Sequence, residues 1–235
     1  MNQSISIPVL MYHDISLNKT NKDIVSLEEF ETHIKTINSL GYKSFCLKDL
    51  KNLKKKSLII TFDDGYESTY KYAMPILNKY NFQATCFIVS NNINKFNDWD
   101  YINDENTKSK LMSADQIKEW KNNNHEIGSH ASDHVNLKNL NYEEKLKSIS
   151  NPISFFKKNF NLDLISFCYP YGSYDNECLE IVKKYYKFAV TTKRSRYKEK
   201  FNDYEIPRVP ISKKTSRFKL LLKLLTFYED IKYKH

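Results

Sequence analysis

The sequence predicts an α/β fold in which about seven parallel strands close, or nearly close, into a barrel. Short apolar strands alternate with amphipathic helices along nearly the whole chain, and this βα order builds parallel sheets with crossover helices. Three of only four glycines sit in chemically loaded segments: Thr61-Phe62-Asp63-Asp64-Gly65, Gly128-Ser129-His130-Ala131-Ser132-Asp133-His134 and Tyr169-Pro170-Tyr171-Gly172. Each segment follows a predicted strand, where parallel α/β folds keep their sites.

The elements follow in order. Ile7–Met11 is a strand, with His13 just beyond it. Ser26 with Glu29 three residues on is a capping-box pattern that opens a helix ending at Gly41. Ser44–Leu47 is a short strand, Lys48–Leu53 a short helix, and Ser57–Phe62 a buried strand. Glu67–Tyr80 places Tyr70, Ala73, Met74 and Leu77 at helical spacing. Ala84–Val89 is the next strand, and 91–110 is a long polar loop. Ser113 caps a helix to Asn123, and His125–Gly128 is a strand. Tyr142–Phe160 is a long helix, Leu164–Tyr169 a strand, Asn176–Tyr186 a helix and Phe188–Thr191 a strand. Ile206–Val209 is a last extended piece, and Thr215–Tyr228 a closing helix.

No Pro/Gly/Ser-rich linker, repeat or low-complexity tract divides the 235 residues, so 1–235 reads as one domain. The net charge of +9 comes from lysines spread along the chain, and no nucleic-acid-binding pattern accompanies them. Cys46, Cys86, Cys168 and Cys178 form no Cys-x-x-Cys and are expected as reduced thiols. There is no signal-peptide pattern and no apolar run of membrane-spanning length, which points to a soluble cytoplasmic protein. The last helix carries Phe218, Leu221, Leu222 and Leu225 on one face, with Arg217, Lys219 and Lys223 nearby. Packing on neighbouring helices is the favoured reading of that face; weak peripheral contact with an anionic membrane is the other.

His130 and His134 are spaced i, i+4, which on a helical turn brings both imidazoles within reach of one ion. Two nitrogens and one carboxylate oxygen form a common catalytic zinc set with open positions. Asp64 or Asp63 would supply the oxygen, and the other carboxylate could act as general base on a metal-activated water. Adjacent side chains at a strand end point oppositely, so one carboxylate can ligate while its neighbour faces substrate. His33 and His125 read as structural or surface groups, and terminal His235 carries no role.

The Asp63-Asp64 and His130/His134 motifs together resemble the polysaccharide deacetylase family, over about Val9 to Leu225. The resemblance implies a distorted (β/α) barrel, a zinc or other divalent transition-metal ion on Asp64, His130 and His134, and Asp63 as general base. The Tyr171 backbone N–H would contribute to an oxyanion hole. The family's arginine in that segment is Cys168 here, and Arg208, in Ile206-Pro207-Arg208-Val209-Pro210, is its candidate replacement; a surface arginine between two prolines is the alternative. The family's late Leu-x-His is missing. The opening Val9-Leu10-Met11-Tyr12-His13-Asp14 instead resembles the poly-N-acetylglucosamine deacetylase branch, in which an N-terminal histidine, here His13, is the general acid. The implied reaction removes acetate from an N-acetylated sugar, oligosaccharide or lipid-linked glycan, with Tyr66, Trp99 and Tyr171 as aromatic surfaces for sugar faces. A catalytically silent sugar-binding domain, or a hydrolase of another linear or cyclic amide, are the alternatives.

Overall fold

The computed structural model describes residues 6–16, 24–101 and 107–232; His235 and part of the loop at 91–110 lie outside them. Seven parallel strands form a closed ring: β1 (Val9–Tyr12), β2 (Ser57–Phe62), β3 (Thr85–Ile88), β4 (Glu126–Ser129), β5 (Ser166–Cys168), β6 (Phe188–Arg194) and β7 (Ile206–Pro210). Each strand pairs with the next, and β7 returns to β1 through Val209 opposite Leu10. The ring is uneven. The parallel strand Lys43–Phe45 takes the first half of one edge of β2 and β3 takes the second. β4 meets β5 at Ser129 opposite Phe167, and the β6–β7 register shifts between Val190 and Arg194.

The two-residue period of the strands sorts the core into two layers. Val9, Ile59, Phe87, Cys168, Val190 and Ile206 share one buried cluster, while Leu10, Ile60, Cys86, Phe167 and Val209 pack in another with the helices. Continuing that alternation, Thr61 and then Asp63 lie on the side of Ile59, as does Arg208 on the side of Ile206. The helices are α1 (Leu27–Ser39), α2 (Met74–Lys79), α3 (Ala114–Asn122), α4 (Tyr142–Phe160), α5 (Asn176–Tyr185) and α6 (Arg217–Leu225). Ser26 caps α1 by accepting from the Glu29 N–H, and Ser113 opens α3 with a full capping box to Gln116. In α4, Asn141 and Glu144 make the reciprocal cap, and left-handed Asn161 ends the helix.

Four expectations need correction. The helix expected over Glu67–Tyr80 contains a π-helical stretch, Thr69–Ala73, in which the Met74 N–H reaches the Thr69 carbonyl. Pro75 follows directly and has no N–H for the regular ladder. The polar loop is partly structured: it carries a short helix, Asp98–Tyr101, and bridges back through Phe96 to Lys110. The closing helix breaks at Thr226, and a separate turn, Tyr228–Lys232, follows. The face of α6 that packs inward is Leu220, Lys223 and Leu224, whereas Phe218 and Leu225 are exposed. Their spacing marks a stripe, but the register against the barrel turns it outward.

The four cysteines are buried free thiols. Among the described residues no helix is long and apolar enough to cross a membrane.

Candidate active site and metal centre

The strand ends deliver every site residue singled out in the sequence to one cleft of roughly 280 Å³, except Arg208, which is buried beneath it. His13, Asp63, Asp64, His130, His134 and Tyr171 line this cleft together with Tyr66, Trp99, Asp100 and Asp14.

Asp63 and Asp64 diverge because the chain reverses at once. Asp64 has φ 72° and Gly65 φ 76°, two consecutive left-handed residues. For Asp64 this conformation is uncommon and costs energy; at Gly65 no Cβ is present to pay it. A Cβ there would also come within 2.7 Å of Ile88 Cδ1. The reversal sends the Asp64 carboxylate toward the histidine loop and leaves Asp63 facing β7.

Asp64 Oδ1 lies 3.3 Å from His130 Nε2 and 3.4 Å from His134 Nε2. A tetrahedral ion with bonds of about 2.0–2.1 Å would space its donors by about 3.3 Å, so this set fits a small divalent ion. The imidazoles are also prepared for it. His130 Nδ1 hydrogen-bonds the Cys168 carbonyl at 2.8 Å, and a carbonyl only accepts, so a proton sits on Nδ1 and Nε2 is the ring nitrogen left to face Asp64. Burial pushes His134 down to about 4, leaving it the neutral form that ligates. Burial alone would lower His130 too, but Cys168 and Asp64 beside it carry it well above the ordinary histidine range. Burial would raise Asp64; its hydrogen bond to His130 and the charge of His134 bring it well below the usual carboxylate range. A proton shared between Asp64 and His130 is thus what an arriving cation would displace.

The histidine pair is not on a helical turn, contrary to the expectation from its spacing. Residues 130–134 form an irregular loop after β4, and Ala131 takes φ 63°. Its N–H bonds Ser129 Oγ and its carbonyl accepts from the Ser90 N–H. The left-handed residue folds the loop back so that the two rings meet edge-on with centroids 4.9 Å apart.

Arg208 is 1% exposed, which removes the surface-arginine alternative. Its guanidinium grips Asp63 with both arms, Nη1 to Oδ1 at 2.6 Å and Nη2 to Oδ2 at 2.7 Å. Nη1 also donates to Thr61 Oγ1, Nη2 to Cys168 Sγ at 3.3 Å, and Nε to the Thr191 carbonyl. The cation therefore reaches Asp63 from β7 and rests against the thiol that replaces the expected arginine on β5. Burial would raise Asp63, but the Arg208 charge and hydrogen bonds outweigh it and hold the carboxyl below its usual range. His13 Nε2 stands 3.8 Å from Asp63 Oδ2, and its Nδ1 is buried without a hydrogen-bond partner among the described residues.

Of the aromatic residues, Trp99 stacks on His134 at 4.4 Å between centroids and Tyr171 meets the same ring edge-on. Tyr171 has φ 57°, and its side chain is exposed at the cleft mouth. Tyr66 differs from expectation. It is buried, and its hydroxyl donates to Asp100, so it supports the cleft wall rather than offering a flat face. His33 and His125 are both buried structural groups: His33 bonds Tyr12 and the Thr215 carbonyl, and His125 accepts from the Ala84 N–H.

Sequence reasoning missed Asp14 and Asp100. Asp14 accepts from Ser68 and Ser109; Asp100 holds Tyr66 and Asn97. Burial raises both carboxyls. Asp14 stands directly after His13 and could have been flagged by that adjacency; nothing in the polar loop distinguishes Asp100.

The chain is similar to known proteins in sequence and in fold. The family profile described as polysaccharide deacetylase matches residues 50–188. A poly-beta-1,6-N-acetyl-D-glucosamine N-deacetylase of Staphylococcus aureus is 31% identical over 205 residues, covering 80% of this chain and 68% of that protein. A polysaccharide deacetylase from Bacillus cereus superposes with a TM-score of 0.80 at 25% identity, covering 94% of this chain and 69% of that one. The Streptococcus pyogenes deacetylase PplD, solved in complex with acetate, shares the fold with a TM-score of 0.82 at 24% identity, covering 94% of this chain and 99% of that one. With the matched segment spanning more than half its length and the Asp63-Asp64 and His130/His134 motifs meeting in one cleft, the chain belongs to the polysaccharide deacetylase family.

Proposed function

We propose that residues 1–235 form one catalytic unit, a metal-dependent deacetylase that removes acetate from N-acetylated amino sugars in a glycan. The observation that carries this reading is the placement of Asp63, clamped by Arg208, one residue from a carboxylate that shares a donor set with two imidazoles. The Staphylococcus aureus relative supports poly-N-acetylglucosamine as the substrate class.

Asp64, His130 and His134 would hold the ion, with zinc the natural occupant of a one-oxygen, two-nitrogen set. A divalent ion there would acidify a water and polarise the acetyl carbonyl. The remaining steps belong to the chain. Asp63 takes the proton of the attacking water as the new C–O bond forms. Its lowered pKa suits this role, because a water acidified by a bound ion would need only an ionised base. The Tyr171 N–H would donate to the developing oxyanion. His13 gives a proton to the sugar nitrogen as the C–N bond breaks, so acetate and a free amine leave. Trp99 and Tyr171 flank the opening where a pyranose ring would lie.

The silent sugar-binding alternative rested on the missing arginine at position 168. The buried Arg208–Asp63 pair brings a cation to Asp63 from another strand, which weighs against that alternative.

The deciding experiment is Asp63→Asn assayed for acetate release on N-acetylglucosamine oligomers, with metal content measured on the same sample. The expected result is full metal occupancy and no acetate. Acetate release at the wild-type rate would remove Asp63 as base. Ammonia instead of acetate from the wild-type enzyme would move the reaction to another amide.

A further inference from the structure

Nine large apolar side chains stand exposed among the described residues, and four of them cluster at the C-terminal end: Phe218 at 68%, Leu225 at 52%, Phe227 at 57% and Ile231 at 68%. Leu221 and Leu222, partly exposed, complete the stripe along α6. The support beneath it is firm. Leu220 and Leu224 are buried, and the Arg196 guanidinium donates to the carbonyls of Lys223, Leu224 and Thr226, closing the C-terminal end of the helix. The apolar tips therefore project from a fixed element.

Along the chain, the charges beside the stripe have one sign. Residues 206–228 contain no acid and six cations; Arg208 and Lys223 are buried and ion-paired, and Lys213, Lys214, Arg217 and Lys219 are not buried. Lys214, Arg217 and Lys219 are exposed beside Phe218. The nearest acids in sequence are internally committed: buried Glu229 pairs with Lys223 and Arg194, and Asp230 accepts from Ser195 and Lys198.

We propose that this face docks on an anionic phospholipid surface. Aromatic and aliphatic tips flanked by cations on a convex helix match the interfacial mode, in which apolar side chains enter the headgroup boundary while lysine and arginine meet lipid phosphates. A second copy of the chain fits poorly, because a symmetric contact would set like-charged clusters against one another. The docking does not depend on the deacetylase reading, and it would hold the enzyme at a surface from which a glycan is presented.

The test is co-sedimentation of the full chain with vesicles of phosphatidylglycerol and phosphatidylcholine in equal parts, against vesicles of phosphatidylcholine alone. The wild type should pellet with the anionic vesicles and be partly released by about 0.5 M salt. Phe218→Ser with Ile231→Ser, and separately Arg217→Glu with Lys219→Glu, should each weaken partitioning by about tenfold or more. These are exposed positions; thermal midpoints check that the variants fold, and the charge-reversal pair serves if the apolar pair does not. Wild-type protein that stays in the supernatant overturns the proposal, as do folded variants that pellet like the wild type. A lipid-free dimer abolished by Phe218→Ser with Ile231→Ser also overturns it, since the stripe would then be a self-association surface.

Discussion

Arg208 and Asp63 form a two-armed ion pair across the barrel, 145 residues apart in sequence and both buried. Removing one partner leaves the other charge buried and unpaired, which typically costs about 3–5 kcal/mol. Arg208→Met should therefore lower stability by that order in urea unfolding, and Asp63→Asn should also destabilise. Asp63→Asn with Arg208→Met should cost clearly less than the sum, because both charges go together. Additive losses would show that the pair is not coupled. Arg208→Lys keeps the charge but loses the fork, so kcat should drop by about tenfold or more with KM little changed.

Metal dependence is what the proposed ligand set, Asp64, His130 and His134, predicts. Dialysis against a chelator should abolish acetate release, and stoichiometric zinc should restore it. Binding to the folded state alone also raises stability, by about 3 kcal/mol at a hundredfold excess over Kd. Added zinc should raise the thermal midpoint of the wild type and leave that of His130→Ala unmoved. An equal rise in His130→Ala would place the ion elsewhere.

Much of this was legible before any coordinates. The strand order, the convergence of strand ends and the four motif residues follow from local pattern, since each motif is short and its strand unmistakable. What stayed hidden was set by register around the ring. Arg208 stood out only because position 168 holds cysteine where the family resemblance implies arginine, and its burial depends on β7 closing against β1. Both His13 and Arg208 lie outside the segment the family profile matches, 50–188. The spacing of His130 and His134 suggested a helix, yet a left-handed Ala131 achieves the same convergence in a loop. The outward face of α6 was equally invisible, because an apolar stripe states its own direction but not which side the barrel occupies.

Gly65 sets the angle between the two carboxylates. Gly65→Ala must place a Cβ at φ 76° and against Ile88. The left-handed conformation alone costs about 1–2 kcal/mol. Because Asp64 shares the reversal, the loss should extend to the metal site. Zinc affinity should fall together with stability, and Ile88→Ala added to Gly65→Ala should recover part of both. Unchanged zinc affinity in a destabilised Gly65→Ala would mean that the turn does not position Asp64.

His125 gives the fold an acid-sensitive point away from the candidate metal ligands. Its Nδ1 accepts from the Ala84 N–H at 3.2 Å, and its ring lies against Trp120 with centroids 4.4 Å apart. Burial pushes it down from 6.5 to about 4. The unfolded chain therefore takes up this proton first as pH falls, so its contribution to stability is present above about 6.5 and is lost progressively down to about 4. The gap corresponds to about 3 kcal/mol. A protonated Nδ1 also cannot accept from Ala84, which gives the loss its structural cause. His125→Gln keeps an acceptor within possible reach of that N–H and does not titrate. Urea unfolding of both proteins at pH 7, 5.5 and 4.5 isolates the effect, since every other titrating group cancels in the difference. The wild-type advantage should shrink steadily across that series. A difference that stays constant with pH would mean that His125 titrates alike in the folded and unfolded chain, as it would if water reached it freely.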